Sequence, residues 1–272
     1  MSNTPLIFVI DIDGCLIGNI TPQIMLYELI TELKANNVKI NMNMSHFNTK
    51  LKSCIIRPYF ATFINNIKQH HPTAEFFIYT ASQNKWANFL IKQVEKVLNI
   101  KFNRPLFTRN ECVIIDNECK KDLNIIKPTI YKALKKKYGN ITIQNRILMI
   151  DNTNVFNKLD QQSLLLCPTY SNYTVENIPI VINEELYNKN LSIINSVIHR
   201  YINMTYLPKN YLEFQELFYR YYVDQINSCK NTTDRFWYNL TKLIIKKNIR
   251  YFGPKTVSYI QKKMDKIGRI KP

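Results

Sequence analysis

Two carboxylates separated by a single residue, Asp11 and Asp13, follow directly on the apolar run Leu6–Ile10, and Gly14 comes next. Such a pair supplies the groups needed for covalent transfer: one acid can attack an electrophile, and the other can give and take the proton. Polar residues of complementary kinds follow two more apolar runs. Thr80 and Ser82 come after Glu75–Tyr79, and Asp151 with Asn152 comes after Ile147–Ile150, with Lys121 lying between the last two in sequence. Acids and an amide suit an octahedral Mg2+ site, since that ion takes hard oxygen ligands and keeps several waters. A hydroxyl, a lysine and a metal together suit a phosphate, whose transfer depends chiefly on positioning and charge neutralisation.

These residues must be positioned by their elements. The three apolar runs read as strands buried on both faces, as in a parallel sheet. Ligands of open α/β sheets bind beyond the carboxyl ends of the strands, where all these polar residues fall. Between the strands the pattern is helical, with apolar stripes over 24–33, from Arg57 to about 70, over 83–98 and over 128–138. Residues 38–56 carry a weak pattern and read as an irregular or β-containing insertion. Cys112–Ile115 reads as a peripheral strand and Ser163–Cys167 as a fourth buried one. Four helices, near 184–204, 208–227, 234–248 and 254–267, follow without a break rich in Gly or Ser. The alternation predicts an α/β fold, a doubly wound parallel sheet with helices on both faces, spanning 1–182. A basic helical C-terminal region, 183–272, is expected to pack on it or follow it.

The chain has 272 residues, 46% of them apolar and only 5 glycines, enough for a proper core. Lys and Arg outnumber Asp and Glu by 37 to 20, so the field around the protein attracts anions such as nucleic acid, a phosphoprotein or an acidic surface. Abundant Asn, Lys, Ile and Tyr also fit a gene written in AT-rich codons, as in a large DNA virus. No run approaches the roughly 18 apolar residues that cross a bilayer. The six cysteines (Cys15, Cys54, Cys112, Cys119, Cys167, Cys229) form no C-x-x-C pair, which favours free thiols in an intracellular, cytoplasmic or nuclear setting. His70 and His71 are expected at the surface of a helix end. Neither a G-x-G-x-x-G fingerprint nor a P-loop occurs. The aromatic clusters Phe218-Tyr219 and Tyr221-Tyr222 read as core more readily than as base-stacking platforms.

The ordered set Asp11-Ile12-Asp13-Gly14, Thr80, Lys121 and Asp151-Asn152 resembles the four motifs of the haloacid-dehalogenase superfamily. It is most similar to the branch of FCP/SCP-type phosphatases, which act on the C-terminal repeats of RNA polymerase II and on other phosphoproteins. Arg57-Pro58, Thr80-Ala81-Ser82, the stretch around Arg109, and Lys121-Asp122-Leu123 extend the resemblance, which covers about residues 6 to 170. It implies Asp11 as nucleophile and Asp13 as general acid and base that also gives a metal its backbone carbonyl. It further implies Thr80 on a phosphoryl oxygen, Lys121 neutralising the phosphorylated aspartate, Asp151 orienting the site and Asn152 as a ligand of Mg2+. Ser82 and Arg109 would bind substrate. Lys120 and Lys127 are rivals of Lys121, and the Lys-Asp-Leu context favours the latter. Three features depart from the family: Cys15 where it usually has Thr or Val, a long Lys-rich span before Asp151, and the helices after 183.

The expected function is a Mg2+-dependent phosphatase acting on a macromolecular phosphomonoester through an aspartyl-phosphate, with phosphoserine or phosphothreonine in protein leading. A nucleic-acid 3′-phosphatase is the second reading. The third is a weakly catalytic binding protein that recruits nucleic acid or another polyanion through its basic C-terminal region.

Overall fold

A computed structural model describes residues 4–18, 20–115, 118–154, 156, 160–171, 181–202, 206–228 and 234–269. The chain divides into two compact units, Met1–Gly18 with Ile56–Tyr170 and Thr233–Pro272, and Asn19–Ile55 with Ser171–Thr232.

The first unit is built on a four-stranded parallel sheet in the order β2-β1-β5-β6, where β1 is Ile7–Ile10, β2 Glu75–Ile78, β5 Ile147–Asp151 and β6 Leu164–Leu166. Phe8 pairs with Phe76 and Leu148, and Val9 with Phe77 and Met149, so alternate residues line the same sheet face. On one face Ile7, Val9, Phe77 and Met149 pack with Leu123, Ile126, Ile130 and Leu134 of α5, Leu123–Tyr138. On the other, Phe8 stacks on Phe76 with ring centroids 5.0 Å apart and meets Phe63 of α3, Phe60–His70, edge-on at 5.4 Å. Trp237 of α9, Phe236–Lys246, covers Phe60 and Phe63 at 4.9 and 4.8 Å. Helices therefore lie on both faces of a parallel sheet, as the alternation of patterns predicts. The remaining helices of this unit are α4, Asn84–Leu98, after β2 and α10, Pro254–Arg269, at the end.

Several local expectations are corrected. Cys112–Ile115 is β3, but its partner is β4, Glu118–Lys121, in a separate antiparallel hairpin and not the main sheet. Helix α5 starts at Leu123, five residues before Pro128, because Asp122 caps it by accepting the N–H of Asn124 at 2.7 Å. Helix α3 starts at Phe60, since Tyr59 takes the left-handed conformation (φ 66°). His71 is buried, its ring nitrogen 3.3 Å from the Arg250 guanidinium, whereas His70 is exposed.

The second unit is helical: α1 Thr21–Ala35, α2 Met44–Lys50 with a π-turn at Leu51–Ile55, α6 Glu184–Lys189, α7 Leu191–Tyr201 and α8 Tyr211–Ser228. Part of the span 38–56 is thus helical and not β, with Phe47 and Leu51 buried. Its core includes Met25, Leu29, Leu33, Tyr187, Ile194, Ile198 and Phe214. Phe218 belongs to that core while Tyr219 is exposed, and the side chains of Tyr221 and Tyr222, like Cys229, lie outside the described residues. The division does not run at 182/183: residues 234–269 go with the sheet, and 20–55 go with the later helices.

Candidate active site

The carboxyl ends of β1, β2 and β5 bring the charged residues together. Lys121, the last residue of β4, is 2% exposed and its ammonium donates to Asp11 Oδ1 at 2.6 Å and to Asp151 Oδ2 at 2.7 Å. Two like charges buried side by side would repel strongly, and the lysine between them removes that cost. Its place is fixed from both ends of the hairpin. The Tyr79 hydroxyl donates to the Glu111 carbonyl at 2.6 Å and accepts the N–H of Asp122 at 3.1 Å, and Leu123 N–H reaches Asp160 Oδ2 at 2.8 Å. Lys120 instead pairs with Glu118 at the surface.

Asp11 is buried, and burial, with the charges of Asp151 and Asp13, raises its carboxyl to about 7 against the opposing pull of Lys121. Asp13 is half-buried and accepts the Ser82 hydroxyl at 2.7 Å; burial raises its pKa above the usual carboxylate range, partly offset by that hydrogen bond and by Lys121. An acid shifted this way holds its proton more tightly than a free carboxyl, the direction that suits a proton donor. Thr80 is fully buried at the end of β2, its oxygen accepting the Ser82 N–H at 3.1 Å. Arg109 sits alongside, its N–H donating to the Ser82 carbonyl at 3.0 Å, but its side chain is exposed and does not join the carboxylate cluster.

Three residues support the cluster, Thr153 and Thr169 without a sequence signal of their own and Arg57 from the Arg-Pro pair of the resemblance. Thr153 holds Asp151 Oδ1 through its N–H at 2.9 Å and hydroxyl at 3.0 Å. Thr169 accepts the Asn152 amide N–H at 3.2 Å. Arg57 donates to the Cys15 carbonyl at 3.5 Å while its own N–H bonds Leu16, and thereby braces the loop after Asp13 from below. Cys15 is a protonated filler: burial and the adjacent Cys167 thiol push it well above its ordinary range, and its Sγ faces the Ile150 carbonyl at 3.5 Å.

The donor set fits a hard cation. Asp11 retains a second carboxylate oxygen beyond the one on Lys121, and the Thr169 contact uses the nitrogen of Asn152, leaving its carbonyl oxygen as the acceptor. A Cβ on Gly14 would lie 2.6 Å from Asn152 Nδ2, so the glycine keeps clear the space in which the Asn152 amide sits beside the Asp13–Gly14 turn. With the Asp13 backbone carbonyl these are oxygen ligands of the kind Mg2+ takes.

A parallel α/β sheet with a lysine-bridged pair of strand-end aspartates and a second acid two residues on has the groups that phosphoryl transfer uses. The family model of NLI interacting factor-like phosphatases matches residues 6–178, and the chain belongs to that family. A curated relative, the DNA-directed RNA polymerase subunit beta'' of Bigelowiella natans, is 25% identical over 226 residues, and the match spans 78% of this chain but only 13% of that protein. Among solved structures, fission yeast RNA polymerase II CTD phosphatase Fcp1, as a point variant bound to beryllium fluoride, is 12% identical with a TM-score of 0.47, covering 96% of this chain and 71% of the other. A second structure of Fcp1 is 11% identical with a TM-score of 0.41, covering 96% and 70%.

Proposed function

We propose that the chain hydrolyses a phosphomonoester on a macromolecule, phosphoserine or phosphothreonine in protein, through an aspartyl-phosphate on Asp11. The observation that carries this reading is the Lys121 ammonium seated between Asp11 Oδ1 and Asp151 Oδ2 at 2.6 and 2.7 Å, with Asp13 alongside, held by the Ser82 hydroxyl at 2.7 Å. In the first half-reaction the free oxygen of Asp11 attacks phosphorus, and the bond to the leaving oxygen breaks as Asp13 gives that oxygen its proton. In the second, Asp13 takes a proton from water, which attacks phosphorus and returns Asp11 as a carboxylate. Lys121 balances the charge that Asp11 carries before and after transfer, and Thr80 holds a phosphoryl oxygen at the end of β2. Asp151, held by Thr153, keeps Lys121 in place. Asp11, the Asp13 carbonyl and Asn152 would hold Mg2+, which when bound supplies neutralising charge to the phosphoryl oxygens.

Exposure at the rim supports a large substrate. Arg109, Ile114 and Ile115 are open to solvent on segments adjoining Ser82 and Lys121, where a polypeptide flanking the phosphate can lie. The test is phosphate release from phosphopeptides and from 3′-phosphorylated oligonucleotides side by side, with and without Mg2+. Release from phosphopeptides is the expected result; preference for the oligonucleotide would reassign the substrate, and release from neither would remove the activity.

A further inference from the structure

The helices α9 and α10 pack together within the sheet-bearing unit and face it with apolar residues, including Trp237, Leu240 and Ile244 on one and Val257, Ile260 and Met264 on the other. Their other faces are basic. From 234 to 269 ten Lys and Arg stand against two acids, a more one-sided balance than the chain's 37 to 20. The two acids leave most of that charge unbalanced. Asp234 is taken up by Arg57 at 2.8 and 2.9 Å, and exposed Asp265, which accepts the Gln261 amide at 2.7 Å, offsets one cation of the ten. Each helix also repeats one arrangement: Lys242 lies over the Tyr238 ring at 4.4 Å, and Lys263 over the Tyr259 ring at 5.6 Å. Exposed Lys246 extends the first row and exposed Lys262 the second. Tyr59, 44% exposed, continues the aromatic row, 5.5 Å from Tyr238.

From this arrangement we infer that the outer faces of α9 and α10 form a nucleic-acid-binding surface. The cations contact backbone phosphates, exposed Tyr59 offers its ring to a base of a single strand, and half-buried Tyr238 and Tyr259 do so as their lysines turn from the ring to a phosphate. An acidic polypeptide would use the charge but has less use for interleaved rings, so the nucleic acid is the better fit. The inference does not depend on the identity of the substrate hydrolysed at the Asp11 site.

The test is fluorescence anisotropy of a labelled single-stranded 20-mer, with full-length protein over a range of salt concentrations. Wild-type affinity should fall steeply with salt. Lys242, Lys246, Lys262 and Lys263→Gln together should weaken binding at least tenfold at low salt and flatten the log–log salt dependence by about 0.7 for each lysine that contacts a phosphate. Changing Lys92, Lys96, Lys132 and Lys136 to Gln, which are exposed on α4 and α5, should leave affinity within about twofold, since they lie off the surface while removing the same charge. Equal weakening by both sets would mean that net charge alone attracts the strand and would overturn the inference, as would unaltered binding by the first set. Competition by polyglutamate as effective as that by unlabelled strand would assign the surface to an acidic protein instead. Thermal melting of each variant shows that the eight exposed positions leave the fold intact, and a Tyr238→Ala, Tyr259→Ala variant supplies a second reading through loss of single-strand preference over duplex.

Discussion

Arg57 and Asp234, 177 residues apart in sequence, form a two-pronged ion pair in the interior, Nε to Oδ1 at 2.9 Å and Nη2 to Oδ2 at 2.8 Å. The guanidinium is fully buried, lies over the Phe236 ring at 4.6 Å, and also reaches the Cys15 carbonyl beneath the catalytic loop. Asp234 lies outside the stretch matched by the family model, so a partner of the family-like segment is supplied from beyond it. Removing one member strands a buried charge, which costs about 3–5 kcal/mol. Asp234→Ala should therefore lower stability by that order in urea unfolding, and Arg57→Met should do the same. The double variant should lose clearly less than the sum of the two; simple additivity would mean the pair contributes nothing as a pair.

Asp11→Asn should abolish phosphate release while the protein remains folded, because the amide matches the carboxylate in size but cannot form the acyl phosphate. Asp13→Asn should lower turnover by about 10²–10⁴, the usual weight of a positioned proton donor. Near-normal turnover in Asp11→Asn, with circular dichroism unchanged, would refute the assignment.

Strand ends were the legible part of this chain. Runs such as Ile147–Asp151 are apolar and buried throughout, so period and position together locate the acids that follow them. The β4 strand was not legible, because Glu-Cys-Lys-Lys has no apolar pattern and pairs only with β3 in a hairpin off the main sheet. Helix α2 was hidden for a similar reason, since Phe47 is its one buried side chain. His71 looked like a surface residue because its burial is set by contact with Arg250, 179 positions away. No local signal marks Thr153, Thr169 or Asp234 either. Each acts by orienting another residue's carboxylate, amide or guanidinium, and such roles exist only in three dimensions.

Chelation should stop turnover and Mg2+ should restore it. Asn152→Ala should raise the Mg2+ concentration needed for half-maximal rate at least tenfold, in line with losses at ligand and supporting positions. Full activity in chelator, or an unchanged Mg2+ requirement in the variant, would dismiss Asn152 as a ligand.

His71 makes stability depend on pH. Burial, then the nearby Arg250 charge, lowers its pKa from the ordinary 6.5, so the folded protein holds the neutral ring. As pH falls below 6.5 the unfolded chain takes up a proton that the folded one refuses, and stability drops until the folded ring also titrates. Asp11 and Asp13, whose carboxyls are raised by burial, pull the other way, since the folded state takes up protons there before the unfolded chain does. The His71 share therefore shows as the difference between wild type and His71→Gln: below the ordinary 6.5 the urea midpoint of the variant should gain on that of wild type. A difference that does not change with pH would assign the dependence to other groups.

Gly14 and Gly139 separate backbone strain from crowding at the site. Both have positive φ, +72° and +76°, but a Cβ on Gly14 would meet Asn152 Nδ2 at 2.6 Å and Thr169 Cγ2 at 3.2 Å, while one on Gly139 would meet nothing within 4 Å. Alanine at either position takes the strained conformation, at a cost of roughly 1–2 kcal/mol. Gly14→Ala must in addition push Asn152 away from Thr169, which moves the amide oxygen placed for Mg2+. Both variants should melt lower than wild type. Only Gly14→Ala should lose turnover and require more Mg2+, and Gly139→Ala should keep its rate at temperatures where it is folded. If Gly14→Ala keeps a normal rate and metal requirement, Asn152 does not act from where it stands, and the cation must be held by other atoms.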